Sequence, residues 1–148
     1  MRTLCTLSVV VLALAACGGP ASAPEEQLRV WVAAGVEAAK EKDRRELVGM
    51  VAESYADARG NDRTDIENLL RVYFLRQQKI ALLTSIEQIT VYADTAAKIE
   101  MTVGMAGMND SVLGLSADAY RFELELEKDA DEWQLISARW GELGEEMR

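Results

Sequence analysis

Hydrophobic positions along the chain change their spacing twice. Leu4 to Ala16 is an apolar stretch interrupted by only two hydroxyl residues, and Arg2 precedes it. From about residue 24 to 78, apolar residues recur every three or four positions, which is the spacing of one helix face. From about residue 86 to 140 they alternate with polar residues, as in a strand with one buried face. The order predicts an apolar leader, three helices and then antiparallel strands, which together make an α+β domain.

The helical half is predicted from three amphipathic segments. Their ranges are about Pro24 to Lys42, Arg44 to Ala58 and Thr64 to Gln78. Pro24 suits a first helical turn, and two pairs have the spacing of a capping box, Asp43 with Glu46 and Thr64 with Glu67.

The second half is predicted to be a meander of strands. The predicted strands are Ile86 to Tyr92, Ala97 to Met105, Tyr120 to Leu126 and Trp133 to Trp140. Turns are expected at residues 93–96 and 129–132. Gly107 to Ala117 is polar and contains glycine, which favours a loop. Its flanks, Met105 to Met108 and Val112 to Leu115, suit either a lid or partner-binding loop or a bent strand with a bulge.

The apolar leader has the order of parts of an export signal. The stretch is too short to cross a bilayer as a helix, which needs about 20 residues. It ends in Leu14-Ala15-Ala16-Cys17, which resembles the lipobox of bacterial lipoproteins, where the cysteine accepts a diacylglyceryl group. The alternative is an ordinary secretory signal cleaved near Ala21 to Ala23, with Cys17 lost. We interpret residues 1–16 as the signal and Cys17 as the site of lipid attachment.

The lipobox resemblance implies a location in the cell envelope. Acyl chains on Cys17 would anchor the protein in the membrane, and the Gly, Pro, Ala and Ser of residues 17–24 suit a flexible tether. Gly18 stands where an Asp would resemble an inner-membrane retention signal, so the periplasmic face of the outer membrane is favoured over the inner membrane. The folded domain is predicted over residues 25–141, with a polar tail at 142–148.

Composition removes several kinds of chemistry. The 148 residues include no histidine and two cysteines, of which Cys5 would leave with the signal and Cys17 would be acylated. Histidine-dependent triads, thiol catalysis and cysteine metal sites are therefore excluded from the exported domain. The net charge of −9 disfavours nucleic acid as a partner, and its simplest explanation is solubility.

The element order resembles a known superfamily. Three helices and a meandering sheet, with local similarity at Glu46 to Val48, Thr64 to Gln78 and Asp131 to Ile136, resemble nuclear transport factor 2-like (NTF2-like) proteins, which include ketosteroid isomerase and SnoaL-like cyclases. The resemblance implies a cone-shaped curved sheet folded round the helices, enclosing an apolar pocket. A cystatin-like or other helix-on-sheet domain is the alternative. Superfamily members often dimerise through the open sheet face, so a homodimer is a further alternative, although a charged face disfavours it.

Seven apolar and aromatic residues are candidates for lining such a pocket. They are Tyr55, Tyr73, Phe74, Met101, Met105, Tyr120 and Trp133. Aromatic rings and methionine offer a large, adaptable surface to an apolar ligand. The alternative is that these residues only fill the core.

No catalytic residue, metal site or cofactor is predicted. Superfamily enzymes place a carboxylate in the pocket, often with Tyr or His, but histidine is absent and the first helix carries Trp31 rather than Tyr. The alternation predicts that the strand glutamates face water. These are Glu100, Glu123, Glu125 and Glu127. The last three could form a metal site, but a charged outer face with Lys98 or Arg139 as partner is the preferred interpretation.

Three functional hypotheses follow from these patterns. The first is a membrane-tethered, non-enzymatic domain that binds a small apolar ligand or an envelope protein. The second is a SnoaL-like isomerase, cyclase or hydrolase that uses a pocket carboxylate. The third is a purely structural envelope protein. A buried carboxylate beside Tyr55 or Tyr73 would favour the enzyme, whereas a deep apolar pocket would favour binding.

Overall fold

The computed structural model describes residues 23–108 and 115–147. The helices are α1 (Pro24–Glu41), α2 (Arg44–Gly49) and α3 (Arg63–Arg76), and the strands are β1 (Lys79–Tyr92), β2 (Ala96–Met108), β3 (Leu115–Asp129) and β4 (Glu132–Glu142). This order confirms the predicted α+β class. The export signal, Cys17 and Val112 to Gly114 lie outside the described residues. Within them, no helix is both long and apolar enough to cross a membrane.

The four strands form one antiparallel sheet in the order β1-β2-β3-β4. The predicted hairpins are present. Residues 93–95 join β1 to β2, and the two residues Ala130 and Asp131 join β3 to β4, both with positive φ as a type I′ turn requires. The backbone N–H of Lys128 donates to the Thr95 carbonyl, which ties the two hairpins together at one end of the sheet.

The register places the alternating apolar residues on one concave face. Ile99 lies opposite Leu124, and Ala97 lies opposite Leu126, and all four side chains are buried. The alternation of β2 and β3 therefore identified the inner face correctly, because a period of two fixes which side of the pleat each residue occupies.

The second helix is shorter than predicted. It ends at Gly49 rather than Ala58, because the following backbone pairs with the edge of β4 instead of continuing a helix. The N–H of Leu135 donates to the Met50 carbonyl, and the N–H groups of Ala52 and Ala56 donate to the carbonyls of Leu135 and Ile136. These bonds satisfy the same backbone groups that a longer helix would have used.

Other boundaries also differ from the predictions. The capping box of α3 is formed by Asp62 and Asp65, two residues before Thr64 and Glu67. β1 begins at Lys79, seven residues before the predicted Ile86, because its first half contains a continuous apolar run, Ile80 to Leu83, that does not alternate with polar residues. The predicted loop from Gly107 to Ala117 is wrong at both flanks, where β2 continues to Met108 and β3 begins at Leu115 in a paired ladder.

Two tryptophans fix α1 to the sheet. The indole N–H of Trp31 donates to the Trp133 carbonyl at 3.0 Å, and the indole N–H of Trp133 donates to Gln27 Oε1 at 3.2 Å. Leu28 and Val32, on the same side of α1, are buried in the core. The N-terminal half of α1 therefore lies against the end of the sheet where the hairpins meet.

One of the strand glutamates is not exposed as expected. Glu125 and Glu127 face water, and Glu100 is half-buried, but Glu123 is only 8% exposed. Its carboxylate is paired with Arg139 of β4 and lies 2.9 Å from Lys98 Nζ of β2. The preferred interpretation of Lys98 and Arg139 as partners is confirmed, and these two cations cover the carboxylate that the alternation placed on the outer face.

The hydrogen bonds of Trp31 and Trp133 that join α1 to β4, here called the tryptophan clamp, should stabilise the fold. We expect Trp31→Phe to lower the free energy of unfolding by about 1 kcal/mol, because it keeps the ring but leaves the Trp133 carbonyl without its donor. Urea denaturation followed by circular dichroism measures this change. Val30→Ala, on the exposed side of the same helix, is the control and should have little effect. Equal stability of Trp31→Phe and wild type would contradict the clamp.

Glu123 with its partners Lys98 and Arg139, here called the Glu123 cluster, should make the stability of the domain depend on pH. The hydrogen bond from Arg139, followed by that from Lys98, holds the pKa of Glu123 below its ordinary value. Its contribution is therefore present above the unfolded-state pKa of about 4.3 and is lost as pH falls through the folded-state pKa. We expect Glu123→Gln to destabilise the domain by about 1–2 kcal/mol at pH 7, and the difference from wild type should shrink below about pH 4.

Glu127→Gln is the matched control for this experiment, because Glu127 lies on the same strand and face but is exposed. It should change the free energy of unfolding by less than about 0.5 kcal/mol. An equal loss in both variants, or a difference for Glu123→Gln that does not vary with pH, would show that the cluster has no special role.

Candidate functional site

A cavity of about 560 Å³ lies between α3 and the part of the concave face that α1 does not cover. α3 contributes one wall, and each of the four strands contributes inward-facing residues to the other. Although α3 is amphipathic, none of its side chains is fully buried. α3 therefore forms one side of the cavity, and its Ile66 packs against the core while remaining only partly buried.

The cavity walls are apolar. The residues that line it are Ala39, Tyr55, Ile66, Leu69, Leu70, Tyr73, Phe74, Ile80, Leu82, Met105, Tyr120, Phe122, Leu124, Leu135, Ala138 and Trp140. None of these residues carries a charge, and the three tyrosine hydroxyls are their main polar groups. Ligand sites are typically about 300–1,000 Å³ with mostly apolar walls and a few polar groups, and this cavity has those properties.

Five of the seven residues proposed from the sequence line the cavity. They are Tyr55, Tyr73, Phe74, Met105 and Tyr120. The other two lie elsewhere. Met101 is buried in the core on the covered part of the sheet, and Trp133 forms the clamp with α1. Whether the five bind a ligand stays a prediction.

Sequence reasoning missed most of the sheet wall. Phe122 and Trp140 lie opposite each other on β3 and β4, with ring centroids 6.4 Å apart, and both line the cavity. Their place on the inner face follows from the alternation. What distinguishes cavity residues from core residues, however, is the end of the sheet at which they lie, and only the register and the position of α1 reveal that.

Tyr55, the buried tyrosine of the cavity wall, is hydrogen-bonded to a turn. The Tyr55 hydroxyl donates to Asp57 Oδ2 at 3.2 Å, and the same carboxylate accepts from the N–H groups of Arg59 and Asn61 and from the Asn61 amide. Burial, with the neighbouring carboxylate, raises the pKa of Tyr55, so the hydroxyl stays protonated. Partial burial opposes ionisation of Asp57, but its hydrogen bonds outweigh that effect and lower its pKa.

Two further tyrosines lie near the open end of the cavity, on α3 and β3. Burial raises the pKa of Tyr73, and the negative charge of Asp118 adds to this effect. The same two causes, in the same order, raise the pKa of Tyr120, to which Glu142 contributes as well. Asp118 is exposed and lies opposite Met105 in the ladder, so it continues the inner face of β3 beyond the cavity wall.

A second, more polar cleft of about 830 Å³ adjoins the cavity. It is lined by Arg59, Tyr120, Trp140, Gly141, Glu142, Glu145 and Glu146. Tyr120 and Trp140 line both spaces, so the cavity and the cleft meet at these two rings. The Arg59 guanidinium lies 4.4 Å from the centre of the Trp140 ring and donates to the Trp140 carbonyl at 2.9 Å.

Comparison with solved structures identifies the fold. A ketosteroid isomerase-like protein from Erwinia carotovora matches with a TM-score of 0.66 at 11% identity, over 81% of this chain and 96% of that one. A candidate dehydratase of the NTF2-like family from Streptomyces avermitilis matches with a TM-score of 0.67 at 12% identity, over 79% and 94%. The domain has the NTF2-like fold.

Not every similar structure is as short as this chain. Bd1075 from Bdellovibrio bacteriovorus matches with a TM-score of 0.67 at 13% identity over 79% of this chain, but the chain spans only 41% of the length of that protein. No protein-family model matches the sequence, and no curated protein matches it. The comparisons therefore establish the architecture and leave function to the site itself.

The described residues that line the NTF2-like cone form an apolar space and include no Asp or Glu. Among the described residues, no group of three or more Asp, Glu, Cys or His side chains is arranged to hold a metal ion. Asp57 is within hydrogen-bond reach of Tyr55, which favours the enzyme hypothesis, but Asp57 is only half-buried, and its hydrogen bonds within the turn lower its pKa.

Proposed function

We propose that this domain binds a small, largely apolar molecule in the cavity between α3 and the concave face of the sheet. The observation that carries this proposal is an uncharged cavity of about 560 Å³ beneath a helix that buries none of its side chains fully. Apolar surface left open to water is unfavourable by roughly 25 cal/mol per Å². A ligand that removed this surface from water would therefore be bound with a useful gain in free energy.

The arrangement of α3 supports the same proposal. Ile66, Leu70 and Phe74 face the cavity and remain half-buried. A helix that only completed a core would bury this face against the sheet at normal packing density. In this domain an apolar ligand would take the place of the missing side-chain contacts, so binding should stabilise α3 together with the ligand.

A second candidate function is an isomerase or dehydratase. Two similar structures are described as a ketosteroid isomerase-like protein and a candidate dehydratase, and Tyr73 and Tyr120 could donate hydrogen bonds to a carbonyl. Against this candidate, every residue that lines the cavity is uncharged, and the carboxylates beside its tyrosines are the turn residue Asp57 and the exposed Asp118 and Glu142. Turnover would need one of these three to act as the base, so substitution of all three without loss of activity would remove that mechanism.

The hypothesis of an envelope protein as partner draws on the outer side of α3. Leu75 is 81% exposed, and Val72 is also exposed. These side chains would suit a protein contact, but they lie on one helix surface, whereas the cavity has walls on α3 and on all four strands. We therefore keep the small ligand as the primary proposal.

We also propose that Cys17 carries a lipid that tethers the domain to the periplasmic face of the outer membrane. Support comes from the order of Arg2, the apolar stretch and Leu14-Ala15-Ala16-Cys17 in the sequence. The tether leads directly into α1, whose first turns lie at the hairpin end of the sheet. The cavity lies toward the opposite end, so its entrance would not be occupied by the anchor.

Filling the cavity should abolish ligand binding. Ala39 of α1 lines the cavity, so Ala39→Phe should place a ring inside it and weaken binding of the neutral probe N-phenyl-1-naphthylamine by about tenfold or more, which is roughly 1.4 kcal/mol. Probe fluorescence measures this affinity. Native mass spectrometry of the domain from its own cell envelope should show a retained small molecule in the wild type and less of it in the variant.

Ala34→Phe is the matched control, since Ala34 lies on the exposed side of the same helix. It should bind the probe as the wild type does, and circular dichroism should show that both variants are folded. If the wild type bound neither the probe nor any co-purified molecule, or if Ala34→Phe lost as much affinity as Ala39→Phe, the cavity would not be the binding site.

Lipid attachment has its own test. Cys17→Ser should abolish metabolic labelling with palmitate and release or misprocess the protein, because serine lacks the thiolate that accepts the diacylglyceryl group. Cys5→Ser is the control and should leave labelling intact. Unchanged labelling of Cys17→Ser would exclude lipidation at this residue.

A further inference from the structure

Carboxylates on the two faces of the sheet differ in whether they form ion pairs. On the outer face, Glu123 is paired with both Arg139 and Lys98. On the inner face, Asp118 and Glu142 continue the cavity wall toward solvent, and within the described part of the chain neither takes part in an ion pair. The inner face therefore keeps its negative charge at the open end of the cavity.

The register brings these two carboxylates to the same place. Glu142 of β4 lies directly opposite Tyr120 of β3, and Asp118 lies two residues before Tyr120 on the same face of that strand. Tyr120 lines both the cavity and the adjoining cleft. The carboxylates thus flank the ring at which an apolar space becomes a polar one. The raised pKa of Tyr120, caused first by burial and then by Asp118 and Glu142, agrees with this closeness.

The positively charged side chain of the cleft, Arg59, already contacts Trp140. Arg59 is the only cation among the described residues that line the cavity or the cleft, and it stacks on Trp140 and donates to that residue's carbonyl. Glu145 and Glu146 add further negative charge to the cleft. An anionic head group would meet several carboxylates here, whereas a cationic one would meet carboxylates and an aromatic ring.

We propose that the site selects cationic amphiphiles, with an apolar body in the cavity and an ammonium group beside Tyr120, between Asp118 and Glu142. This inference rests on the proposed function, because it assigns the chemical class of the ligand that the cavity holds. The apolar walls supply most of the affinity, and the carboxylates supply discrimination between head groups. Fatty acids, which have the same body and the opposite charge, are rejected.

Three ligands with the same chain test the proposal. Decylamine, decanol and decanoate, each below its micelle concentration, are used to displace N-phenyl-1-naphthylamine from the wild-type domain at pH 7 and low salt. The affinity obtained from displacement should be about tenfold higher for decylamine than for decanoate, with decanol between them. Added salt should reduce the difference in affinity between decylamine and decanoate, because the charges of Asp118 and Glu142 lie at the solvent-exposed end of the cavity.

Three variants then locate the effect. Asp118→Asn and Glu142→Gln keep the shape of each side chain, and each should reduce the ratio of amine to acid affinity severalfold, while affinity for decanol stays the same. Glu127→Gln removes one charge from the outer face at the opposite end of β3 and should leave the ratio unchanged.

The outcomes separate the two proposals. Equal affinities for the three ligands, or a ratio that Asp118→Asn and Glu142→Gln leave intact, would overturn the assignment of ligand class while the cavity remained a binding site. A ratio reduced equally by Glu127→Gln would assign the effect to net charge and would also overturn it. Failure of the probe and of all three ligands to bind would instead contradict the proposed function.

Discussion

The structure depends on a mismatch in length between the sheet and the helix that covers it. β3 has 15 residues, which at about 3.3 Å per residue extend roughly 50 Å. α1 has 18 residues, which at 1.5 Å each extend roughly 27 Å. One helix of this length cannot cover the whole concave face. The remaining apolar face must be covered by α3, and α3 spans it without closing the space between them.

The clamp between α1 and β4 decides at which end that space remains. Gln27 and Trp31 hold Trp133 at the hairpin end, where Leu28 and Ile99 are fully buried. The solid core and the cavity thus share one continuous concave face and differ in what covers it. Charged residues also differ between the two faces of the sheet. On the outer face Glu123 is paired with Lys98 and Arg139, whereas at the open end of the inner face Asp118 and Glu142 form no ion pair with another described residue.

Local patterns in the sequence predicted the fold class and the inner face of the sheet, because periods of 3.6 and 2 report which side of an element is buried. They failed where distant backbone or side chains compete. The edge of β4 takes over the backbone after Gly49, and Lys98 and Arg139 bury Glu123 on a face that alternation assigns to water. The cavity likewise could not be separated from the core, since Met101 and Met105 have the same pattern and only Met105 lines it.

α3 spans a cavity whereas α1 is packed in the core, and hydrogen exchange of the unliganded domain tests this difference most directly. Amides in the middle of α1 should exchange only on global unfolding, whereas those in the middle of α3 should exchange through local opening at least about a hundredfold faster. Saturation with a cavity ligand should slow amide exchange in α3, while amides in α1 should still exchange more slowly than those in α3. Equal protection of the two helices in the unliganded protein would mean that α3 is packed as firmly as α1, and would contradict this account.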